Sequence, residues 1–275
     1  MAAILNFMAD HPGQSFALTD LVRALKLSRA TCHALLTGLV EVGYLYRTSD
    51  KSYVLGPGLA NICQAVSDHF SPLQVAQPEM RTLADEYDVV CSAFFLEGEM
   101  VNVRERASSV SHVGISVQLG ARLKLRVPFA ATFFAWSAPE DVEAWLETMT
   151  PPPTPSEREA LAQSMIFARR HGFVLFVTNP DSPELDRPPE LVFGGDKADF
   201  PIKPAAELEP KQKYEVRSLL SPVFDANDKV AFVMGLMGFN RSMTGSEAAE
   251  VAGRLRAACG RITSYIGGHR GTMRR

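Results

Sequence analysis

The sequence predicts an α+β protein: an N-terminal winged helix-turn-helix, a helical linker and a C-terminal domain with an antiparallel sheet. Two short amphipathic helical stretches stand almost end to end near the N-terminus. From Val89 onward the hydrophobic period changes to two, which indicates strands. The length of 275 residues exceeds what one small core requires, so two domains are expected. We assign residues 1–56 to the winged helix, 57–79 to the linker, 80–268 to the sheet domain and 269–275 to a basic tail.

The composition is that of an ordinary globular protein. Hydrophobic residues make up 46% and charged residues 21%, and the formal net charge is −3, which excludes disordered and fibrous classes. Global charge therefore does not indicate a nucleic-acid partner. In residues 1–56, five basic and four acidic side chains leave a net charge of only +1. The position of the basic side chains is more informative than their number.

Residues 19–39 predict the helix-turn-helix. A hydroxyl that can cap a helix opens each half, Thr19 in the first and Ser28 in the second. The apolar stripe of the second helix consists of Cys32, Leu35, Leu36 and Leu39. That stripe leaves Arg29, Thr31, His33 and Thr37 on the outer face, where they could enter a major groove. The alternative is an ordinary helical pair with a solvated face.

Residues 41–56 predict a β-hairpin directly after the second helix. The helix ends at Gly43, aromatic and polar residues alternate, and Ser49-Asp50-Lys51 forms the turn. A hairpin in this position makes the domain a winged helix. Arg47 and Lys51 would then lie where a wing meets phosphates or the minor groove.

Residues 27–31, 35–44 and 52–56 resemble the DNA-binding domain of IclR-type (isocitrate lyase regulator) bacterial transcription factors. The resemblance implies a transcription regulator that binds double-stranded operator DNA and a GAF-like effector domain in the C-terminal part. Where that family usually places an arginine in the recognition helix, this chain has Ala34. The predicted DNA-contacting residues are Ser28, Arg29, Thr31, His33, Thr37, Arg47 and Lys51.

The remaining elements follow in order. Residues 2–10 predict a first helix, and the linker is expected to form one helix over Leu59–Phe70 and a second that starts at Ser71-Pro72, breaks at Pro78 and ends near Tyr87. Strands are predicted over residues 89–97, 100–106, 112–118, 172–178, 214–224 and 229–239. Helices are predicted over 127–136, 139–149, 156–171, with Ser156 as its cap, and 245–266. We expect these helices on one side and one end of the sheet. The segment 179–213 fits the family poorly and could be a lid, an oligomer contact or an insertion.

A small-molecule effector site is expected between the sheet and the helix that begins at Val127. The candidates, partly implied by the resemblance, are Phe94, Phe95, Leu125, Arg126, Pro128, Phe129, Ala130, Ala131, Ser218, Gly235 and Met237. Arg126 beside Phe129 favours an aromatic or other small carboxylic acid, because arginine binds carboxylates bidentately. Two alternatives stay open: the aromatic residues and Met237 are plain core, or Arg126 pairs with Glu97 or Glu105 on the surface.

Other function classes find little support in the sequence. The four cysteines form no Cys-x-x-Cys pair, the six histidines show no i,i+4 pairing, and no Gly-x-Ser-x-Gly or phosphate-binding loop is present. We therefore expect no metal, no cofactor and no enzyme activity. No apolar run has the length of a membrane span, so we expect a cytoplasmic protein without a membrane partner. A lone winged helix covers one half-site of an operator, so we expect a homodimer or tetramer. The alternative function is a winged-helix protein-interaction module with a ligand-sensing domain and no DNA role.

Overall fold

The computed structural model describes residues 2–9, 14–62, 72–112, 117–180 and 202–268. The chain forms two compact units, residues 1–71 and 72–275. Residues 72–79, which the sequence assigns to the linker, thus group with the second unit. The predicted α+β class is confirmed, and each unit is described separately below.

The first unit is a winged helix-turn-helix. It comprises α1 (Ala2–Ala9), α2 (Leu18–Leu25), α3 (Arg29–Glu41), β1 (Leu45–Arg47) and β2 (Tyr53–Leu55). β1 and β2 pair antiparallel, and Phe16 extends this hairpin through two backbone hydrogen bonds with Tyr53 of 2.8 and 3.0 Å. Its core consists of Ile4, Met8, Leu21, Cys32, Leu36, Leu39, Leu45 and Tyr53. The three helices and the hairpin therefore share one small hydrophobic core.

The two N-caps of this unit differ from each other. Ser28 caps α3 as predicted, because its Oγ accepts a hydrogen bond from the Thr31 amide at 3.1 Å. The expectation that Thr19 caps α2 is wrong, since Thr19 lies inside the helix and Ala17 occupies the cap position. There the Asp20 carboxylate accepts a hydrogen bond from the Ala17 amide at 2.9 Å and so supplies the cap. A carboxylate in the first helical turn also favours the helix dipole.

The segment between β2 and β3 is mainly helical where the structure describes it. Residues 58–62 are helical, whereas most of the predicted helix Leu59–Phe70 lies outside the described residues. The next helix is α4 (Pro72–Tyr87). The predicted break at Pro78 is wrong, because α4 continues through it. Pro78 lacks an amide donor but keeps its carbonyl partner, and the Thr82 hydroxyl donates to that carbonyl at 3.0 Å.

A seven-stranded antiparallel sheet forms the centre of the second unit. Its strands are β3 (Val90–Glu97), β4 (Met100–Ser108), β5 (Arg122–Lys124), β6 (Val174–Thr178), β7 (Ile202–Pro204), β9 (Val216–Phe224) and β10 (Val230–Met237), in the order β5-β4-β3-β10-β9-β6-β7. β8 (Lys213–Tyr214) and β11 (Met243–Thr244) form a separate pair. The short strands β5, β7, β8 and β11 were not predicted. Residues 113–116 of the predicted strand at 112–118 lie outside the described residues.

Helices cover both faces of this sheet, so the expectation of helices on one side is wrong. α5 (Val127–Phe134), α6 (Pro139–Glu147) and α7 (Pro155–His171) pack with alternate strand residues such as Phe94 and Val233. α4 and α8 (Gly245–Tyr265) pack with the opposite set, which includes Cys91 and Phe232. Successive strand side chains point to opposite faces, which explains why β3, β9 and β10 are apolar nearly throughout.

The N-cap of α7 differs from the predicted one. The cap of α7 is Thr154 rather than the predicted Ser156: its Oγ1 accepts from the Glu157 amide at 3.3 Å, while the Glu157 carboxylate accepts from the Thr154 amide at 2.7 Å.

On the other face of the sheet, α4 and α8 are joined by two bidentate ion pairs. These are Glu79–Arg261, with both contacts at 2.6 Å, and Glu86–Arg254, with contacts of 2.8 and 3.2 Å.

Candidate nucleic-acid interface and ligand cavity

The outer face of α3 carries the side chains that the sequence assigned to it. Arg29, Thr31, His33 and Thr37 are all exposed, whereas Cys32, Leu36 and Leu39 are buried beneath them. The Thr31 hydroxyl lies 2.8 Å from Ser28 Oγ, and the Thr37 hydroxyl donates to the His33 carbonyl at 2.9 Å. The longer side chains of Arg29 and His33 extend beyond these local hydrogen bonds. Burial raises the pKa of the Cys32 thiol on the inner side of the helix.

The wing is an ordered turn with exposed charges. Lys51 has a positive φ of 65°, and the Thr48 hydroxyl contacts both Asp50 and the Ser52 carbonyl. Hydrogen bonds from Thr48 and Ser52 lower the pKa of Asp50, so this carboxylate is ionised at neutral pH and offsets one cation of the wing. The Arg47 guanidinium carbon lies 5.8 Å from the ring centroid of Tyr53. This contact positions Arg47 along the hairpin.

The second unit contains a cavity between the sheet and α5. The centre of a water-sized sphere can occupy about 40 Å³ of it, and its empty space including the mouth is about 480 Å³. Both volumes exceed that of a single bound water. The residues that line it are Phe94, Val101, Leu123, Lys124, Leu125, Arg126, Phe129, Thr132, Phe133, Ser218, Leu220 and Met237. The cavity is therefore mostly apolar with a few polar groups, which is typical of small-molecule sites.

Two cations belong to the lining of this cavity. Arg126 is the N-cap residue of α5 and is half-buried, with an extended backbone (φ −114°, ψ 156°). Lys124 on β5 is paired with Glu99, and its Nζ lies 3.6 Å from the Glu99 carboxylate. The described partners of Glu97 are Asn102 and Arg104, and Glu105 accepts from the Arg106 amide.

The cavity brings together six of the eleven predicted effector residues: Phe94, Leu125, Arg126, Phe129, Ser218 and Met237. Five others do not line it. Phe95 lies on the opposite face of the sheet, where its ring stacks on Phe232 with a centroid distance of 4.9 Å. Ala130 and Ala131 lie on α5 and are fully buried in the core, and Pro128 occupies the first turn of the same helix.

Gly235, the fifth residue outside the lining, lies beneath the cavity wall. A Cβ at this position would be 2.9 Å from Phe94 Cε2 and 3.1 Å from Leu220 Cδ2. The space that a side chain would take is therefore filled by two residues that line the cavity. The absence of a side chain at Gly235 lets Phe94 and Leu220 pack closely over the strand.

The sequence reasoning missed six lining residues: Val101, Leu123, Lys124, Thr132, Phe133 and Leu220. Thr132 and Phe133 follow Phe129 by three and four positions, so the helical period could have identified them. Leu220 follows Ser218 by two positions on one strand face. Val101, Leu123 and Lys124 depend on the pairing of β4 with β5, and no sequence signal marked that short strand.

Among the residues that the structure describes, the other His, Cys, Asp and Glu side chains do not form a metal centre. Within the described ranges, no group of three His, Cys, Asp or Glu side chains is arranged to hold a metal, and no helix is long and apolar enough to cross a membrane. Cys32, Cys91 and Cys259 are buried free thiols, whereas Cys63 lies outside the described part of the chain. Burial raises the pKa of Cys259 to about 12, which makes this thiol a poor nucleophile.

Comparison with known proteins identifies the first unit. The family described as the IclR helix-turn-helix domain matches residues 1–49. The chain is also 25% identical over 146 residues to the HTH-type transcriptional regulator KipR of Bacillus subtilis (strain 168), a match over 53% of this chain and 58% of that protein. Residues 1–49 thus resemble the IclR helix-turn-helix domain. The match thus spans well under two thirds of the length of this curated relative.

Solved structures extend the likeness in fold to nearly the whole length of the chain. Pseudomonas aeruginosa HmgR is 20% identical with a TM-score of 0.67, and the alignment covers 97% of this chain and 96% of that one. A putative IclR transcriptional regulator from Silicibacter sp. TM1040 is 20% identical with a TM-score of 0.68, over 98% and 95% of the two chains. The repressor BlcR of Agrobacterium tumefaciens is 16% identical, with a TM-score of 0.61 over 98% and 96%. At these identities the likeness shows the fold.

Proposed function

We propose that this chain is an IclR-type regulator that binds double-stranded operator DNA through α3 and the wing and is controlled by a small organic acid in the cavity beside α5. The observation that carries the DNA part is the arrangement of α3, which exposes Arg29 and His33 while its other face is buried. Arginine and other polar side chains on such a helix can read base edges, and Arg47 and Lys51 on the wing can contact phosphates. The relatives and structural neighbours named above are transcription regulators, which supports the same assignment.

Salt dependence tests the DNA part. Neutralised phosphates release counterions, and each contributes about −0.9 to the slope of log affinity against log salt. If Arg47 and Lys51 of two copies each meet one phosphate, the slope is about −3.6. Fluorescence anisotropy with a duplex selected from a random pool measures this slope, and Lys51→Ala should halve it. Failure to select any duplex, or binding that does not change with salt, would instead support the protein-interaction module.

We also propose that the regulator acts as a homodimer or tetramer. Val42, Tyr46 and Leu55 of the first unit are large apolar residues that are 58%, 59% and 42% exposed. Exposed apolar groups on one small domain favour association. A single winged helix also covers only one half-site, so useful affinity calls for two copies on a two-fold-related operator. Analytical ultracentrifugation at micromolar concentration should give a dimer or tetramer, and a monomer that still binds DNA tightly would overturn this proposal.

The effector proposal rests on the position of Arg126 in the lining of a mostly apolar cavity. A charged carboxylate–guanidinium contact contributes about 1.5–3 kcal/mol, which is roughly 10- to 100-fold in affinity. An aromatic ring would pack against Phe94 and Phe129. The acid can change the affinity for DNA by no more than the ratio of its own affinities for the DNA-binding state and the non-binding state of the protein.

Calorimetry with benzoate and benzamide tests the effector proposal. We expect the wild type to bind benzoate at least tenfold more tightly than benzamide, and Arg126→Ala to remove this preference. Lys124→Ala is the matched control, because Lys124 also lines the cavity but is paired with Glu99. Equal affinity for acid and amide, or an Arg126→Ala variant that behaves as the wild type, contradicts the carboxylate assignment. A reaction product in incubated mixtures, detected by mass spectrometry, would favour an enzyme instead.

A further inference from the structure

A second cavity lies between α8 and the C-terminal half of β9. The centre of a water-sized sphere can occupy about 280 Å³ of it, and its empty space including the mouth is about 700 Å³. Pockets that bind small molecules measure roughly 300–1,000 Å³. We call this cavity the α8 groove, and its lining includes Gly253, Arg256, Ala257 and Gly260 of α8 together with Gly172 and Ser221. It shares no lining residue with the cavity beside α5, so a ligand here would be a second one.

The small residues of α8 keep this groove open. Gly253, Ala257 and Gly260 follow one another at intervals of four and three positions, so they lie on one face of the helix. A Cβ at Gly253 would meet no heavy atom within 4 Å beyond its own chain neighbours and helix backbone. Glycine in the interior of a helix lowers its stability relative to alanine, so helix formation does not explain this open face.

The charge in the lining of the α8 groove is positive. Among the described residues that line it, Arg256 is the one with an ionised side chain, and it is exposed. No carboxylate in the described part of the chain forms an ion pair with Arg256. The other two arginines in this part of α8 differ, because Arg254 is held by Glu86 and Arg261 by Glu79. Arg256 thus keeps its guanidinium available to a molecule in the groove.

Further positive charge lies at the end of the groove formed by α7. His171 ends α7 and directly precedes Gly172, which lines the groove. Burial, together with the positive charges of Arg170 and Arg256, lowers the pKa of His171. Arg256 therefore lies near the C-terminal end of α7. The dipole of α7 places only about half a negative charge at this end, which two arginines outweigh.

The groove contains no negative charge of its own to offset these cations. The thiol of Cys259 in the lining is neutral, because burial raises its pKa to about 12. Asp225 follows the lining residue Phe224, but its Oδ1 accepts hydrogen bonds from the Asn227 and Lys229 amides at 2.8 and 2.9 Å. Glu250, three positions before Gly253 on α8, does not line the groove. A cleft with one sign of charge concentrates ligands of the opposite sign.

We propose that the α8 groove is a second ligand site, which binds a phosphorylated small molecule with its phosphate against the Arg256 guanidinium. Arginine matches the geometry of phosphate and binds it bidentately. Two nearby arginines favour a dianion over a monoanion, since the attraction grows with the charge. The groove is larger than one phosphate group, so the organic part of the ligand would lie over the small residues of α8. This site does not depend on the proposed effector cavity.

Calorimetry of the full-length protein with glucose 6-phosphate, inorganic phosphate and glucose tests this inference. At a fixed low ionic strength, we expect glucose 6-phosphate to bind at least tenfold more tightly than glucose. Arg256→Gln should weaken both phosphate compounds at least tenfold and leave the affinity for benzoate unchanged. Arg254→Gln is the matched control, because it removes the same charge from the same helix at a position held by Glu86. Its effect on phosphate binding should stay within about twofold.

A second variant tests the position of the ligand without a change of charge. Gly253→Leu places a side chain in the open groove and keeps Arg256, so it should weaken glucose 6-phosphate more than inorganic phosphate. Equal losses in Arg254→Gln and Arg256→Gln would show a response to net charge only and would overturn the inference. Phosphate compounds that bind equally to wild type and Arg256→Gln, or not at all, would also overturn it. Benzoate binding in the same proteins reports separately on the effector proposal.

Discussion

The outer face of α3 and the cavity beside α5 are built from the sequence in opposite ways. The face on α3 takes Arg29, Thr31, His33 and Thr37 from a stretch of only nine positions, and these four side chains are exposed. The cavity draws its lining from segments between Phe94 and Met237, and nearly all of its apolar members are buried. The first surface depends only on the helical period and a cap. The second depends on strand pairing across most of the sheet, so it is sensitive to changes in the core.

The largest expected effect is a loss of stability when a core residue beside the cavity is truncated, whereas truncation on the outer face of α3 should change stability little. Phe176 is fully buried, and its ring centroid lies 4.9 Å from that of Phe129 in the cavity wall. Phe176→Ala should lower the free energy of unfolding of the second unit by about 3–5 kcal/mol through lost burial and a new void. Denaturant unfolding measures this, with Arg29→Ala as the control that changes stability by at most about 0.5 kcal/mol. A loss below about 1 kcal/mol for Phe176→Ala would contradict a tightly packed cavity wall.

A smaller effect distinguishes the two parts of the proposed DNA interface. Arg29 and His33 on α3 are expected to read base edges, whereas Arg47 and Lys51 on the wing are expected to contact phosphates. Arg29→Ala should cost about 1–3 kcal/mol at one base pair of the selected site and leave random DNA almost unaffected. Lys51→Ala should weaken both kinds of DNA alike. Anisotropy titrations of the two duplexes decide the matter, and equal losses in both duplexes for both variants would show that the roles are wrongly assigned.

The smallest expected effect concerns pH and the ion pair between α4 and α8. Hydrogen bonds from Arg261 lower the pKa of Glu79 below its ordinary value of 4.5. A carboxylate with a lowered pKa stabilises the folded state above the unfolded pKa, and this contribution disappears as the pH falls through the folded pKa. Glu79→Gln should therefore cost about 0.5–1 kcal/mol at pH 7 and progressively less below pH 4.5.

Unfolding measured from pH 7 to pH 3 tests this prediction. Glu143→Gln is the matched control, because its ion pair with Arg158 is the more exposed one, with side chains 58% and 41% accessible. We expect that control to change the free energy of unfolding little at either pH. A cost for Glu79→Gln that is the same at pH 7 and pH 3 would show that the carboxylate charge is not what stabilises the helix pair.

The sequence could predict what is local. Ser28, the buried stripe of α3 and the turn of the wing follow from residues that are near neighbours in the chain. Thr19 misled because the Asp20 carboxylate one position later provides the cap. Pro78 misled because the packing of α4 against the sheet and α8 outweighs the loss of one helical hydrogen bond.

The cavity could be predicted only in part. Alternation requires Phe94 and Phe95 to face opposite sides of the sheet, but which of them faces α5 depends on how β3 is placed against the helices. Gly235 presents the same difficulty. A glycine in a strand can enlarge a site or let neighbours close over it, and only the positions of Phe94 and Leu220 decide between the two.

The paired ion bridges between α4 and α8 also restrict how these helices can move. Glu79 and Glu86 are seven residues apart on α4, and their partners Arg261 and Arg254 are seven residues apart in the reverse order on α8. Sliding either helix by one turn would break both bridges at once, whereas a small rotation of α4 about its own axis would strain them without breaking them. The two bridges therefore oppose sliding of α4 along its axis more than rotation about it. We expect any movement of α4 to be mainly a rotation.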